Sequence, residues 1–358
     1  MSGRIIVAAA GSGKTEAIVT AALAKPISER VIITTYTTDN LSEIRQRIIS
    51  KAGAVPPNIT LLGWFSFLIK HGIKPFQFPT FKTNFIDGLH FARREGFPRK
   101  TDVHKYYVNP RGAVYRDFAA ELALLLDTRS QGDVFRRIAS IFEHILIDEV
   151  QDMSARDFEF IEGLLTSGAA ITMVGDPRQG TFSTTNARAN KKLTKSNVGE
   201  WFELLEKKQF ATVKPYAHSY RCNQTICDYG DFIYEGRGFA PTESRQAEVT
   251  EHDGVYIVHP NDAVEYAKSF STMALRYWVK TPTGSIPAKN FGEVKGLTFK
   301  RVLIFPTTGI GDFVRSQKEL KADTQAKFYV AVTRAQHSVG IVLDSPGASG
   351  LPMWKRPV

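Results

Sequence analysis

The chain has 358 residues, 46 lysines and arginines against 36 acids, and a formal net charge of +10, enough length to close two or three apolar cores. Its 43% hydrophobic content contains no uncharged run of 18 residues, which argues against a membrane-spanning helix or membrane partner and for a cytoplasmic protein. Two cysteines, Cys222 and Cys227, are too few for a disulfide scaffold or a cysteine zinc site and read as reduced thiols, while the positive charge favours a polyanionic partner.

In chain order, "RIIVAAA" (4 to 10) is a short apolar strand, and "GSGKT" (11 to 15) opens the helical pattern "EAIVTAALAK". Strand, glycine loop and helix form the setting in which a Gly-x-x-x-x-Gly-Lys-Thr loop holds phosphate, with alanine at its first position here. Ala10, Gly11, Ser12 and Gly13 would line the cradle, with backbone N–H groups from Gly11 onward meeting the β-phosphate. Lys14 would reach the β and γ oxygens, and Thr15 would ligate magnesium.

"RVIITTYTT" (30 to 38) is a second strand ending in hydroxyls. There Thr35, Tyr36 and Thr37 either hydrogen-bond a backbone phosphate or form a turn. "ITLLGWFSFLIKHG" (59 to 72) offers Trp64, Phe65 and Phe67 either as base-stacking aromatics or as core. From 74 to about 130 the mixed, basic and Pro/Phe-containing text reads as a small inserted subdomain.

"HILIDEVQDMS" (144 to 154) places Asp148 at the end of a strand, where it can hold magnesium beside Thr15, and Glu149 where it can activate water. "AITMVGDPRQGTFS" (170 to 183) repeats a strand and loop, with Gln179 either sensing a γ-phosphate or belonging to a plain turn. The later segments 248 to 279, 299 to 307 and 326 to 344 alternate strands and helices without a second phosphate loop. Their array gives Arg221 and Arg334 the look of arginine fingers, the other reading being surface salt bridges.

The ordered blocks "AAAGSGKT", "ITTYTTDNLSEIRQRI", "ILIDEVQD", "VGDPRQGTFS", "SYRCNQTI", "GEVKGLTFKRVLI" and "KFYVAVTRAQHSVGIV" resemble the UvrD/Rep group of superfamily 1 DNA helicases from position 8 to 342. The resemblance implies an α/β fold of two RecA-like P-loop NTPase domains with parallel sheets, 1 to 205 and 206 to 358, and ATP in the cleft between them. It implies ATP and Mg2+ as cofactors and single-stranded DNA or single/double-strand junctions as partner, with 3′ to 5′ travel. A protein partner supplying nuclease or loading function is the further partner expected, either assisting the motor or being switched by it.

Residue by residue, the likeness makes Lys14 and Thr15 the phosphate and magnesium contacts, Asp148 the metal ligand, Glu149 the catalytic base and Gln179 the γ-phosphate sensor. Arg221 and Arg334 become the two fingers, and Tyr220 the aromatic on the adenine. Thr35, Tyr36, Phe182 and Lys295 become nucleic-acid contacts or coupling positions. The chain departs from the family pattern at Glu16, Phe65, Gly292 and Thr298, and the glutamine segment that reads adenine ahead of the loop is expected to be missing. The span from Arg221 to Lys295 is short for an accessory domain, so a nearly bare motor is expected.

Overall fold

The computed structural model describes residues 3–82, 85–180 and 198–356. Two larger parallel sheets carry the fold. The first contains β1 (Gly3–Ala8), β2 (Val31–Thr35), β3 (Ile59–Gly63), β6 (His144–Asp148), β7 (Ile171–Gly175) and β8 (Ala211–Tyr216), ordered β3-β2-β6-β7-β1-β8. β2 runs parallel to both β3 and β6, and β6 to β7. All five residues of β2, "VIITT", are buried, as a strand covered on both faces requires.

The helix Thr38–Ala52 follows, capped at its start by the Thr37 hydroxyl accepting from the Asn40 amide and closed by Gly53 in the left-handed region. Thr37 therefore serves as a helix cap. A Ser154–Asp157 capping box likewise starts the helix Ala155–Thr166 after β6.

The inserted segment holds the small parallel pair β4 (Gly88–His90) and β5 (Ala113–Tyr115). It ends sooner than the sequence suggests, because the helix Ala119–Arg129 sends Leu122, Ala123 and Leu126 into the main core.

β9 (His218–Ser219) pairs with β10 (Glu243–Ser244). The second large sheet then follows: β11 (Gly254–Val258), β12 (Met273–Arg276), β13 (Ala288–Asn290), β14 (Phe299–Phe305) and β15 (Ala335–Val342), parallel throughout and ordered β11-β15-β14-β12-β13. The α/β class with parallel sheets is as the sequence predicts.

The chain divides into two compact units: Met1–Ile6, Lys14–Gly175 and Ser183–Lys214 in one, Val7–Gly13, Asp176–Phe182 and Pro215–Val358 in the other. The expected boundary at 205/206 moves, since β8 at 211 to 216 still belongs to the first sheet. Cys222 and Cys227 are both free and buried. Among the described residues no helix is long and apolar enough to cross a membrane.

Candidate nucleotide site and nucleic-acid contacts

Between the end of β1 at Ala8 and the helix Lys14–Leu23, the chain turns through Gly11 and Gly13 at φ of 72° and 77°. L side chains rarely adopt that conformation. Gly11 is also fixed by space, since a Cβ there would lie 2.6 Å from the Cβ of Arg221. Ser12 is buried, and its hydroxyl has no hydrogen-bond partner among the described residues.

In the first unit, Lys14 Nζ lies 3.2 Å from Glu149 Oε1, and the Thr15 hydroxyl donates to Asp148 Oδ2 at 2.9 Å. The acids end and follow β6, so the strand itself delivers them to the first turn of the loop helix. Asp148 is fully buried. Burial and then the neighbouring Glu149 charge push its carboxyl up to about 7, against the pull of Lys14 and Thr15. A buried carboxylate paired with a hydroxyl is an oxygen donor set suited to a hard divalent cation completed by phosphate and water. Among the described residues no three His, Cys, Asp or Glu side chains gather as an all-protein metal cage.

Glu149 sits at φ 54°, a conformation uncommon for a non-glycine residue and one that aims its side chain. Its carboxylate accepts a hydrogen bond from the Nε2 of fully buried Gln151. Gly175, ending β7, leaves room for that amide, since a Cβ there would collide with Gln151 Oε1. Gln151 thus holds the Glu149 carboxylate, a contact the motifs do not single out although the residue stands in plain view in "DEVQD".

In the second unit, buried Asp176 accepts from Arg178 Nε at 3.1 Å and from Gln179 Nε2 at 2.9 Å. The Tyr329 hydroxyl donates to the same carboxylate at 3.1 Å. Arg178 also pairs with Asp231 at 2.8 Å, and the Arg334 guanidinium donates to Gln179 Oε1 at 3.3 Å. Arg221 donates to the Thr333 carbonyl at 3.1 Å. Tyr220 anchors its amide on the Gly11 carbonyl at 2.9 Å and leaves its ring 57% exposed. The unit thus brings the residues read as adenine platform and finger, Tyr220 and Arg221, against the loop residues Ala10 and Gly11, where the Ser219 hydroxyl also donates to the Ala10 carbonyl.

The nucleic-acid expectations fare unevenly. Tyr36 and Phe65 meet edge to face, ring centroids 5.1 Å apart, both half-buried at the strand ends that also deliver Asp148. Trp64 is corrected: fully buried, its indole N–H donates to Asp157 at 2.7 Å, so no base can reach its face. Thr35 is corrected too, because it is fully buried beside Asp148 in register and offers no surface contact. Phe182 lies outside the described residues. Lys295 is half-buried after the short turn that follows β13.

Residues 101–197 match the UvrD/REP helicase N-terminal domain family. The UvrD/REP match contains β6, the Asp148–Glu149 pair, Gln151 and Gln179, and it bears out the likeness read from the motifs. No curated protein sequence matches the chain. Among solved structures, the arterivirus nonstructural protein 10 helicase in complex with DNA aligns at 15% identity and a TM-score of 0.48, over 95% of this chain and 60% of its own. The PRRSV helicase aligns at 13% and 0.48, over 99% and 56%. The chain therefore spans about three fifths of these helicases, and likeness at that level carries no argument about activity.

Proposed function

We propose that this protein is an ATP-dependent DNA helicase or translocase of the cytoplasm, hydrolysing ATP under stimulation by single-stranded DNA and moving 3′ to 5′. The carrying observation is the pairing of Lys14 with Glu149 and of Thr15 with Asp148 at the end of β6. Lys14 meets the β and γ phosphates, and Tyr220 carries the adenine on its exposed ring. Thr15 and Asp148 would hold Mg2+, which when bound would neutralise phosphate charge.

Glu149, oriented by Gln151, takes the proton of the attacking water. The charge developing on the phosphoryl oxygens is met by Arg221 and Arg334, while Gln179, bonded to Arg334, reports the γ-phosphate. The family match and the net positive charge support a nucleic-acid track.

The test is ATP hydrolysis with no nucleic acid, single-stranded DNA, duplex or RNA, followed by strand displacement on substrates with a 3′ or a 5′ tail. Stimulation by single-stranded DNA with displacement from the 3′ tail is expected. Turnover indifferent to every nucleic acid would overturn the motor and leave a regulatory subunit that switches a partner.

A further inference from the structure

Trp278 is one of four tryptophans, and it alone is exposed: Trp64 and Trp201 are fully buried and Trp354 is 8% accessible, against 57% for Trp278. It leaves the sheet just beyond the C-terminal end of β12, the kind of edge at which parallel α/β sheets bind ligands. A large indole held in water at such an edge needs a reason, because its burial elsewhere would be favourable.

The ring rests on a fixed support. Tyr277, whose ring lies 6.0 Å from that of Trp278 at 86°, is held from three sides. Its hydroxyl donates to Asp323 at 2.7 Å, Lys327 Nζ sits 4.7 Å over its face, and the Phe291 ring lies 6.0 Å away. The Thr281 amide donates to the Trp278 carbonyl at 2.9 Å, closing a turn beneath it. The indole is thus exposed on a backbone already ordered, so contact with a ligand costs little further entropy.

Its surroundings are basic. Past the end of β12 the sequence carries Lys280 and Lys289 before its first acid, Glu293. Lys280 follows Trp278 by two residues, and Lys289 is exposed on β13, the edge strand, opposite Leu275 of β12. An aromatic face flanked by lysines is the chemistry that takes a stacked base with its phosphates.

We propose that Trp278 is a base-stacking platform for single-stranded nucleic acid on the second unit, with Lys280 and Lys289 meeting the backbone phosphates. This rests on the nucleic-acid reading of the proposed function and adds to it a contact that the motif comparison did not mark. Stacking tolerates any base, so little sequence preference is expected.

The exposed indole is its own reporter. The full chain is titrated with a single-stranded oligothymidylate while tryptophan emission is followed, excited beyond tyrosine absorption, and affinity is measured independently by anisotropy of a labelled oligonucleotide. Quenching of the red-shifted emission is expected, with affinity falling about 5- to 150-fold in Trp278→Ala and largely kept in Trp278→Phe. Far-UV circular dichroism and nucleotide binding confirm that both variants are folded.

Binding and ATPase stimulation that persist with emission unchanged and Trp278→Ala unaffected would overturn the platform and leave the proposed function standing. Equal quenching by heparin, a polyanion without bases, would also overturn it, because charge alone would then account for the signal. Failure of every nucleic acid to bind the native chain would overturn both readings together.

Discussion

β6 in the first sheet ends in buried Asp148, followed by half-buried Glu149, the two paired with Thr15 and Lys14, whereas β12 in the second runs out into exposed Trp278 and Lys280. Both are C-terminal ends of strands in parallel sheets, yet one gathers its charges into mutual pairs, largely shielded from solvent, and the other spreads charge and an aromatic face into it. On the proposed function and the proposed platform, the difference follows from what each chemistry demands. Proton transfer and phosphate stabilisation need low dielectric and fixed geometry, so their residues must be buried and mutually bonded. Holding a strand that must also be released needs shallow, solvated contacts, for which exposure is an advantage.

The strongest way to break this contrast is Glu149→Gln, which keeps shape and removes the base. Hydrolysis is expected to fall about 10²- to 10⁴-fold while nucleotide and DNA binding remain, measured by steady-state turnover beside equilibrium binding. A variant that still turns over at the native rate would strip the β6 edge of its assigned chemistry.

A large effect of a different kind tests whether the second unit also has a closed polar centre. Arg178 is almost fully buried between Asp176 and Asp231, with the rings of Tyr329 and Phe239 at 4.8 and 5.3 Å from its guanidinium carbon. Arg178→Met leaves two carboxylates without their cation and is expected to destabilise by about 3–5 kcal/mol, read from the denaturant midpoint at constant slope. An unchanged midpoint would mean that the network does not hold the loop 176 to 179 in place.

Much of the closed region was legible in the sequence, and little of the open one. The phosphate loop and "ILIDEVQD" are local patterns whose spacing is dictated by a strand, a tight turn and a helix, so Lys14, Thr15, Asp148 and Glu149 could be placed without coordinates. Burial is a property of the whole fold, and residue type alone leaves it open. Trp64, readable as a stacking aromatic or as core, is a core residue bonded to Asp157, whereas Trp278, unremarked in "MALRYWV", is the tryptophan left in water. Gln151 escaped because its role depends on the left-handed turn at Glu149 and on the space left by Gly175, a strand away.

Gln151→Ala sharpens the comparison from within the closed region. Removing the amide frees the Glu149 carboxylate to rotate, and turnover is expected to fall about 10- to 100-fold, as when an outer partner of a reactive group is lost. Substrate affinity should stay near native, so the loss should appear in kcat with KM little changed. A rise in KM alone would assign Gln151 to nucleotide binding.

The smallest expected effect asks whether the two sheets answer acid separately. His71 packs against Phe67 and Phe142 in the first unit, and burial, with Arg137 and Lys70, lowers its imidazole to about 4. His252 in the second is stacked between Tyr256 and Phe270 beside the Tyr266 hydroxyl; burial and Arg301 lower it to about 4 despite Asp253. Both rings stay neutral in the fold where the unfolded chain takes up protons. Their contribution is therefore full above the ordinary histidine value near 6.5 and is lost as pH falls from there through about 4. Hydrogen exchange across that window resolves the two sheets. His71→Phe should flatten the acid sensitivity of β2, β3 and β6 and leave the second sheet unaffected, and His252→Phe should do the reverse for β11, β12 and β14. One substitution flattening both would show that acid opens the chain as a single cooperative block, and the contrast between the two regions would then be one of surface chemistry without independent stability.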